Sequence, residues 1–139
     1  MAPKDIGAEH EHIKWANTIT FIGPMWWGGF PAITNGYMDR VLSDGFAYTG
    51  DENGPKGLLP DKKVFTIMTG DAPASVYEQS GLFKSINRII DDITCQFCAL
   101  KVAGHKYFMS VNEVSDAERK KMLGELRQIA DDKIGRAHD

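Results

Sequence analysis

The chain has 139 residues, a mild net charge of −3, and 42% hydrophobic and 25% charged residues. This length and composition predict one globular domain over residues 1–139 and argue against a disordered chain. The weak charge excludes the strongly basic surface that nucleic-acid binding needs, so we expect no nucleic-acid partner.

The sequence also shows no sign of a membrane or export segment. No apolar run reaches the roughly 18 to 20 residues that cross a bilayer, and the first eleven residues are polar and acidic, unlike a signal peptide. We therefore expect a cytoplasmic protein without a transmembrane segment.

Short β-rich runs alternate with longer amphipathic stretches, which predicts an α/β fold with a parallel sheet. In the first half we expect a helix over 8–16, a strand over 18–23, and a helix that starts at Pro31 and ends at Gly45. The segment 48–62 is rich in glycine and proline, so it is predicted to be a surface loop.

The second half is predicted to add two strands and two helices. A strand over 63–68 precedes the strongest helical periodicity of the sequence, which runs from Leu82 to Leu100. Gly104 is expected to end that unit, before a third strand over 106–111. The last helix opens at Ser115 with the pattern of a capping box. Its predicted buried face consists of Leu123, Leu126, Ala130 and Ile134.

Two loops of this expected sheet have a composition suited to a planar aromatic ligand. Ligands of open parallel sheets bind beyond the carboxyl ends of the strands. The loop after the first strand, residues 24–31, sets Trp26 and Trp27 beside two glycines, which combines flat apolar surface with approachable backbone. In the loop after the second strand, Gly70 is expected to leave backbone N–H groups free. Core packing of the tryptophans and a plain turn capped by Asp71 are the alternatives.

A long ordered set of residues resembles one family. The runs 15–17, 21–32, 36–41 and 45–48 are similar to the flavodoxin-like NAD(P)H:quinone oxidoreductases, and the similarity continues more weakly to the end of the chain. The resemblance implies a three-layer α/β/α fold with a parallel sheet and bound FMN or FAD. It also implies NAD(P)H as co-substrate, hydride transfer through the flavin to a quinone or similar acceptor, and a homodimer.

The resemblance further implies roles for individual positions. The loop against the flavin ring corresponds to Pro24, Met25, Trp26, Trp27 and Gly28. The loop that bonds the pyrimidine edge of the ring corresponds to Thr69, Gly70 and Asp71. Tyr48 and Tyr77 are the implied catalytic-site tyrosines, and Tyr48 matches an aromatic wall of the quinone and nicotinamide pocket that one subunit lends to the other.

The usual first strand, phosphate loop and first helix of that family find no match. Only seventeen residues precede the first predicted strand, whereas one strand-plus-crossover unit needs about 30. No other glycine-rich phosphate motif is found. We therefore expect an N-terminally truncated fold with weakened flavin affinity and an exposed apolar edge on the strand 18–23. A catalytically silent binding or regulatory subunit, a fragment, and a chain completed by a partner are alternatives to an active enzyme.

The remaining polar features are interpreted as structural, and no metal site is predicted. Cys95 and Cys98 lie late in an apolar stretch, which favours buried thiols over a redox pair or a zinc site. The run 9–12 is expected to be a solvated helix face, because its two histidines are two residues apart. Asp91-Asp92 is expected on the polar side of the long helix, and His105 has no predicted partner.

Overall fold

The computed structural model describes residues 3–134. Five α-helices, two π-helical segments and five strands lie in this part of the chain. In order they are α1 (Lys4–Trp15), β1 (Thr18–Pro24), α2 (Ala32–Val41), β2 (Tyr48–Asp51), β3 (Gly54–Gly57), β4 (Lys63–Thr69), α3 (Ala74–Gln79), α4 (Leu82–Arg88), a π-helix (Ile89–Cys95), β5 (Lys101–Phe108), α5 (Asp116–Ile129) and a π-helical turn (Ala130–Ile134). No helix within residues 3–134 has both the length and the apolar character needed to cross a membrane.

The main sheet has three parallel strands in the order β1-β4-β5. Pro24 of β1 pairs with Thr69 of β4, which in turn pairs with Phe108 of β5. The carboxyl ends of all three strands therefore meet along one edge of the sheet. The predicted α/β fold with a three-stranded parallel sheet is confirmed.

Helices cover both faces of this sheet. Side chains alternate between the two faces of a strand, so Val64 and Met68 pack toward α1, α2, α4 and the first π-helix. Phe65 and Ile67 of β4 point the other way and pack with Phe108 against α5 and the turn that follows it. The result is a three-layer α/β/α arrangement.

β1 lies at the edge of the sheet. Within residues 3–134 it pairs with β4 alone, and Ile22 on β1 is 66% exposed. The predicted apolar edge is therefore confirmed for this part of the chain.

The predicted loop over 48–62 contains a β-hairpin instead. β2 pairs with β3 in an antiparallel ribbon, from Tyr48↔Gly57 to Asp51↔Gly54. Gly54 takes the positive φ of 106° at the reversal, which glycine adopts without steric cost. The glycines and prolines of this segment predicted a chain reversal, but the short antiparallel ribbon on either side of the reversal was not predicted.

The predicted long helix over 82–100 is wrong in its continuity. The helical segment is divided into separate pieces. The short helix α3 ends before Gly81, whose φ of 71° separates it from α4. After α4, the segment Ile89–Cys95 is a π-helix. In a π-helix the hydrogen bonds run to i+5, so residues spaced by three no longer share one face, and the apolar residues from Leu82 to Leu100 do not form a single buried side. Ile86 and Leu100 are buried as expected, whereas Ile89, Ile93 and Phe97 are exposed.

The third predicted strand begins too late. β5 already starts at Lys101, and Gly104 lies inside it at φ 143°, beside an irregularity in the pairing with β4 at Val64/Phe65. A Cβ at Gly104 would lie 3.0 Å from the Phe65 ring. Gly104 therefore allows close packing within the strand and does not end the preceding unit.

The last helix begins as predicted. The Ser115 hydroxyl accepts from the Glu118 N–H at 3.3 Å, and the Glu118 carboxylate accepts from the Ser115 N–H at 2.8 Å, so the capping box is confirmed. Leu126 and Ile134 pack against the sheet. The predicted burial of Leu123 is wrong, because that side chain is 65% exposed.

Candidate functional site

Two loops meet at the carboxyl edge of the sheet. The first follows β1 and is called the tryptophan loop here (residues 24–31). The second follows β4 and is called the Gly70 loop (residues 69–73). The Met25 N–H donates to the Thr69 carbonyl at 2.7 Å and joins the two loops directly. Pro24, the last residue of β1, lies opposite Thr69. The structure thus brings these predicted site residues together.

The tryptophan loop holds its two indoles out of the core. Trp26 and Gly29 exchange backbone hydrogen bonds of 2.9 and 3.1 Å, while Trp27 and Gly28 between them both have positive φ, 53° and 78°. Both central residues of a tight type I′ turn require such angles. Trp26 is 60% exposed and Trp27 is 106% exposed. The alternative that one or both tryptophans pack in the core is therefore wrong.

Met25 anchors the loop. Its side chain is buried with Phe30, Met68 and Ile86, so this predicted contact residue faces the core rather than the surface that carries the indoles. Side-chain alternation along an extended segment accounts for this, because Met25 follows β1 in phase with the buried face.

Gly70 does not offer a free N–H group, contrary to expectation. Its N–H donates to the Phe108 carbonyl at 2.9 Å, and its carbonyl accepts from the Val111 N–H at 3.2 Å. The Met109 methyl carbon, at the end of a flexible side chain, occupies the space beside Gly70, and it would have to shift if Gly70 carried a Cβ, which would lie 2.4 Å from it. Within residues 3–134, the backbone N–H groups of Asp71 and Ala72 make no hydrogen bond to a protein acceptor.

Asp71 and Ala72 therefore supply the candidate backbone donors of the Gly70 loop, and sequence reasoning missed Ala72. The Asp71 carboxylate accepts from the Asn112 side-chain amide. It does not cap a helix, since α3 starts at Ala74 after Pro73. Along a strand, backbone N–H groups point alternately to either side, and this alternation would show that the Gly70 N–H is used by the sheet while later N–H groups are free. The sequence could not give this result, because it requires knowing that β5 pairs with β4.

Tyr77 on α3 reaches the Gly70 loop. Its hydroxyl oxygen lies 3.7 Å from the position that a Cβ on Gly70 would take. Its ring stacks on Phe83 with centroids 5.3 Å apart, and Phe83 stacks on Tyr107 at 4.2 Å. Burial, with a smaller contribution from the Asp91 carboxylate, raises the pKa of Tyr107 to about 12. The stack fixes the Tyr77 ring beside the loop.

Tyr48 is not brought to these residues within one chain. It pairs with Gly57 in the hairpin, and its ring makes an edge contact with Phe97 at 4.7 Å. Gly57 in turn packs against Cys98 and Ala99, just before β5 begins. Tyr48 thus lies beside the segment that leads into β5, at the amino edge of the sheet, whereas the tryptophan loop follows the carboxyl end of β1.

A threonine, a histidine and an aspartate are bonded in series on the face beneath the first π-helix. Thr66 Oγ1 lies 2.7 Å from His105 Nδ1, and His105 Nε2 lies 3.0 Å from Asp91 Oδ1. The order is that of a nucleophile, base and acid, but Thr66 is only 1% exposed, so no substrate reaches it. The network ties β4, β5 and the π-helix together. The expectation that Asp91 lies on the polar, solvent-facing side of the helix is therefore wrong, because Asp91 contacts His105. Thr66 and Asp91 are the partners of His105 that the sequence did not predict.

The other polar features are structural. Cys95 and Cys98 are buried free thiols, as predicted; burial raises the pKa of both, to about 12 for Cys95. His10 does not face solvent as expected, because its ring stacks on Phe46 at 3.6 Å and its Nε2 lies 3.0 Å from the Val41 carbonyl. Among residues 3–134, no group of three or more histidine, cysteine, aspartate or glutamate residues is arranged to hold a metal ion.

A family model described as flavodoxin-like fold matches residues 1–130 of the chain. The chain belongs to this family. The flavodoxin-like chain is 36% identical over 123 residues to an uncharacterized NAD(P)H oxidoreductase of Haemophilus influenzae, an alignment of 88% of this chain and 61% of that protein. The resemblance to NAD(P)H:quinone oxidoreductases is confirmed.

Solved structures agree with this assignment. A putative quinone reductase from Klebsiella pneumoniae superposes with a TM-score of 0.80 at 27% identity, over 93% of this flavodoxin-like chain and 54% of that one. An FMN-dependent NADH-azoreductase from Bacillus anthracis, solved with FMN, has the same fold at a TM-score of 0.72 and 15% identity, over 92% and 61% of the two chains. The chain thus spans between half and two thirds of these proteins.

Proposed function

We propose that this chain carries the flavin-ring and acceptor site of an NAD(P)H:quinone oxidoreductase. The observation that supports this most strongly is the junction of two loops at the carboxyl edge: the Met25 N–H donates to the Thr69 carbonyl at 2.7 Å, and the tryptophan loop exposes Trp27 two residues further on. The names of the relatives, an NAD(P)H oxidoreductase and a putative quinone reductase, point to the same chemistry.

The residues at this edge fit the ring of a flavin. The indoles of Trp26 and Trp27 offer flat apolar surface for the ring, and the N–H groups of Asp71 and Ala72 can donate to its pyrimidine oxygens. The azoreductase of the same fold binds FMN. The sequence has no glycine-rich phosphate motif, so we assign ring contacts to this chain and no phosphate contact. FMN and FAD both meet this requirement.

The bound flavin would supply the redox chemistry, by accepting a hydride from NAD(P)H and passing two electrons to a quinone. The chain's own residues bind and orient. Trp27 covers the ring face, the Gly70 loop fixes the pyrimidine edge, and the Tyr77 hydroxyl donates a hydrogen bond to the acceptor oxygen. The rings of Phe83 and Tyr107 hold Tyr77 in place.

A homodimer is part of the proposal. Tyr48 lies at the opposite edge from the tryptophan loop of its own chain, so it can act on a flavin only in a second subunit. An apolar stripe of Ile89, Ile93 and Phe97 is exposed along the first π-helix and the turn that follows it, and the Phe97 ring contacts the Tyr48 ring. Burial of this stripe against a second copy would place Tyr48 of the partner subunit beside the tryptophan loop.

We also place the reaction in the cytosol, since both cysteines are free thiols, the state that reducing compartments maintain. The proposal covers both NADH and NADPH as the hydride donor.

The assay is NADH and NADPH oxidation by the flavin-loaded chain with a water-soluble quinone. Tyr77→Phe removes the hydroxyl and keeps the stacked ring, so we expect kcat to fall about 10²-fold with flavin affinity unchanged. Tyr37→Phe is the matched control, because the Tyr37 hydroxyl on α2 donates to the Glu9 carboxylate on α1 at 3.0 Å. If the flavin-loaded chain oxidises neither NADH nor NADPH, the proposal that it is an oxidoreductase would be contradicted. That result would favour the alternative of a catalytically silent binding subunit.

A further inference from the structure

A cavity of about 240 Å³ lies between α2 and the α4–π-helix segment, above β1 and β4. One end of it is formed by Gly28, Gly29 and Phe30 of the tryptophan loop. The other end reaches Ile89 and Thr94 on the π-helix, and Ile89 is exposed there. The cavity therefore connects the edge that carries the candidate flavin site with the surface of the π-helix.

The lining of this cavity is apolar and uncharged. Its walls are mainly aromatic, aliphatic and thioether side chains: Phe21, Phe30, Met38, Met68, Ile86 and Ile90. The amide of Asn35, one of its few polar groups, already donates to the Phe30 carbonyl at 2.9 Å. A charged or strongly polar guest would lose its hydration without a partner, whereas apolar cavities of about 150 Å³ already hold benzene.

We propose that this cavity binds the apolar side chain of the quinone acceptor while the quinone ring lies at the tryptophan loop. This assignment rests on the function proposed above. It selects quinones that carry a hydrocarbon substituent over bare or charged ones. Each buried methylene contributes about 0.8 kcal/mol, which corresponds to about a fourfold gain in affinity.

The first experiment needs neither flavin nor turnover. Purified chain is titrated with n-butylbenzene and with 4-phenylbutyrate, its charged analogue, and binding is followed by NMR shifts. We expect saturable binding of the hydrocarbon alone. Val64→Phe fills the floor of the cavity from a buried position and should abolish binding. Val102→Phe makes the same change at a half-exposed site on β5 and should leave it intact.

Denaturation in urea shows whether the filled chain is folded, and Ile90→Trp provides a second filling variant from the helical side of the same cavity. Loss of hydrocarbon binding in a folded filling variant, with binding kept in Val102→Phe, supports the cavity as the site. Absence of saturable binding to the unmodified chain overturns the inference, whatever the outcome for flavin.

The second experiment identifies the occupant. Quinones with one ring and side chains of increasing length are compared in the NAD(P)H assay. We expect KM to fall about fourfold per methylene in the unmodified chain and to be independent of side-chain length in Val64→Phe. Length-independent KM in the unmodified chain overturns the assignment. Hydrocarbon binding without any turnover would instead overturn the proposed function, and with it the quinone as occupant.

Discussion

Trp27 occupies the tip of the tryptophan loop with its indole fully exposed and its backbone at φ 53°. A bulky side chain at positive φ is strained, and such strain persists where the surroundings fix it, most often at functional sites. Large aromatic side chains are mostly buried in folded proteins. Both departures from the norm are explained if the indole is covered by a ligand ring.

Trp27→Ala should therefore weaken flavin binding without loss of fold. Stacking of an aromatic side chain on a heteroaromatic base contributes about 1–3 kcal/mol, so we expect the flavin Kd to rise about 5- to 150-fold by fluorescence titration, with an unchanged urea midpoint. Trp15→Ala, at the exposed end of α1, is the control. Equal affinity of both variants would remove Trp27 from the site.

The two thiols should be inert in the folded chain. Burial raises the pKa of Cys95 to about 12 and also raises that of Cys98, so thiolate is scarce at pH 8. We expect no reaction with a thiol reagent at pH 8 until urea unfolds the chain, after which both thiols react. Because the folded pKa lies above the unfolded value of 9.0, the free energy of unfolding should also fall as pH rises from 9 toward 12. Rapid labelling of native protein would disprove this.

Sequence patterns predicted which residues lie at the edge, but not what each backbone group does there. The tryptophans and glycines of residues 24–31 are informative because their types are unusual for a loop. The role of Gly70 depends instead on Phe108 and Val111, which lie about 40 residues away in sequence and reach it only through the sheet. Such partners follow from strand register, which the sequence alone did not specify.

The hairpin β2–β3 is attached to the core through Gly57. A Cβ on this residue would lie 2.3 Å from both the Ala99 nitrogen and the Cys98 carbonyl carbon, which are backbone atoms and cannot move aside. The hairpin carries Tyr48, so this close packing also fixes the position of that ring.

Gly57→Ala should destabilise the chain for this reason. We expect the free energy of unfolding to fall by about 1–3 kcal/mol, the usual effect of overpacking, measured by urea denaturation. Gly50→Ala, in the same hairpin, is the matched control, because no atom lies within 4 Å of a Cβ at Gly50. Equal stability of the two variants would show that the hairpin shifts freely.

Regular helices and strands were the elements that sequence periodicity predicted best. β1, β4 and α5 follow closely from β-rich runs, apolar spacing and the cap at Ser115, which are local signals. α1 begins at Lys4 rather than at residue 8, and α2 ends at Val41 rather than at Gly45. The π-helix Ile89–Cys95 could not be predicted, because the apolar spacing from Leu82 to Leu100 is also that of a regular α-helix. The start of β5 at Lys101 was missed because Gly104 was expected to end the preceding helix. The π-helix makes tertiary contacts that the sequence does not specify, among them the His105–Asp91 contact at 3.0 Å.

At the scale of the whole molecule, the exposed stripe on the π-helix predicts a dimer. Ile93 is 64% exposed at the centre of the stripe, so Ile93→Lys should convert the dimer to a monomer in light scattering after size exclusion. Leu123→Lys, 65% exposed on α5 at the opposite face, should leave the dimer unchanged. A monomeric unmodified chain, or equal behaviour of both variants, would contradict the interface.

The loops at the carboxyl edge are the centre of this account, and a titration of the purified 139-residue chain with riboflavin and with FMN tests them most directly. Ring contacts alone predict saturable quenching of flavin fluorescence, with Kd values for the two flavins that agree within about tenfold, since a phosphate contact would add more than about 1.4 kcal/mol to FMN binding. Absence of saturation by either flavin would contradict the site. Binding of FMN but not riboflavin would show that a phosphate contact, not the tryptophan loop, carries the affinity.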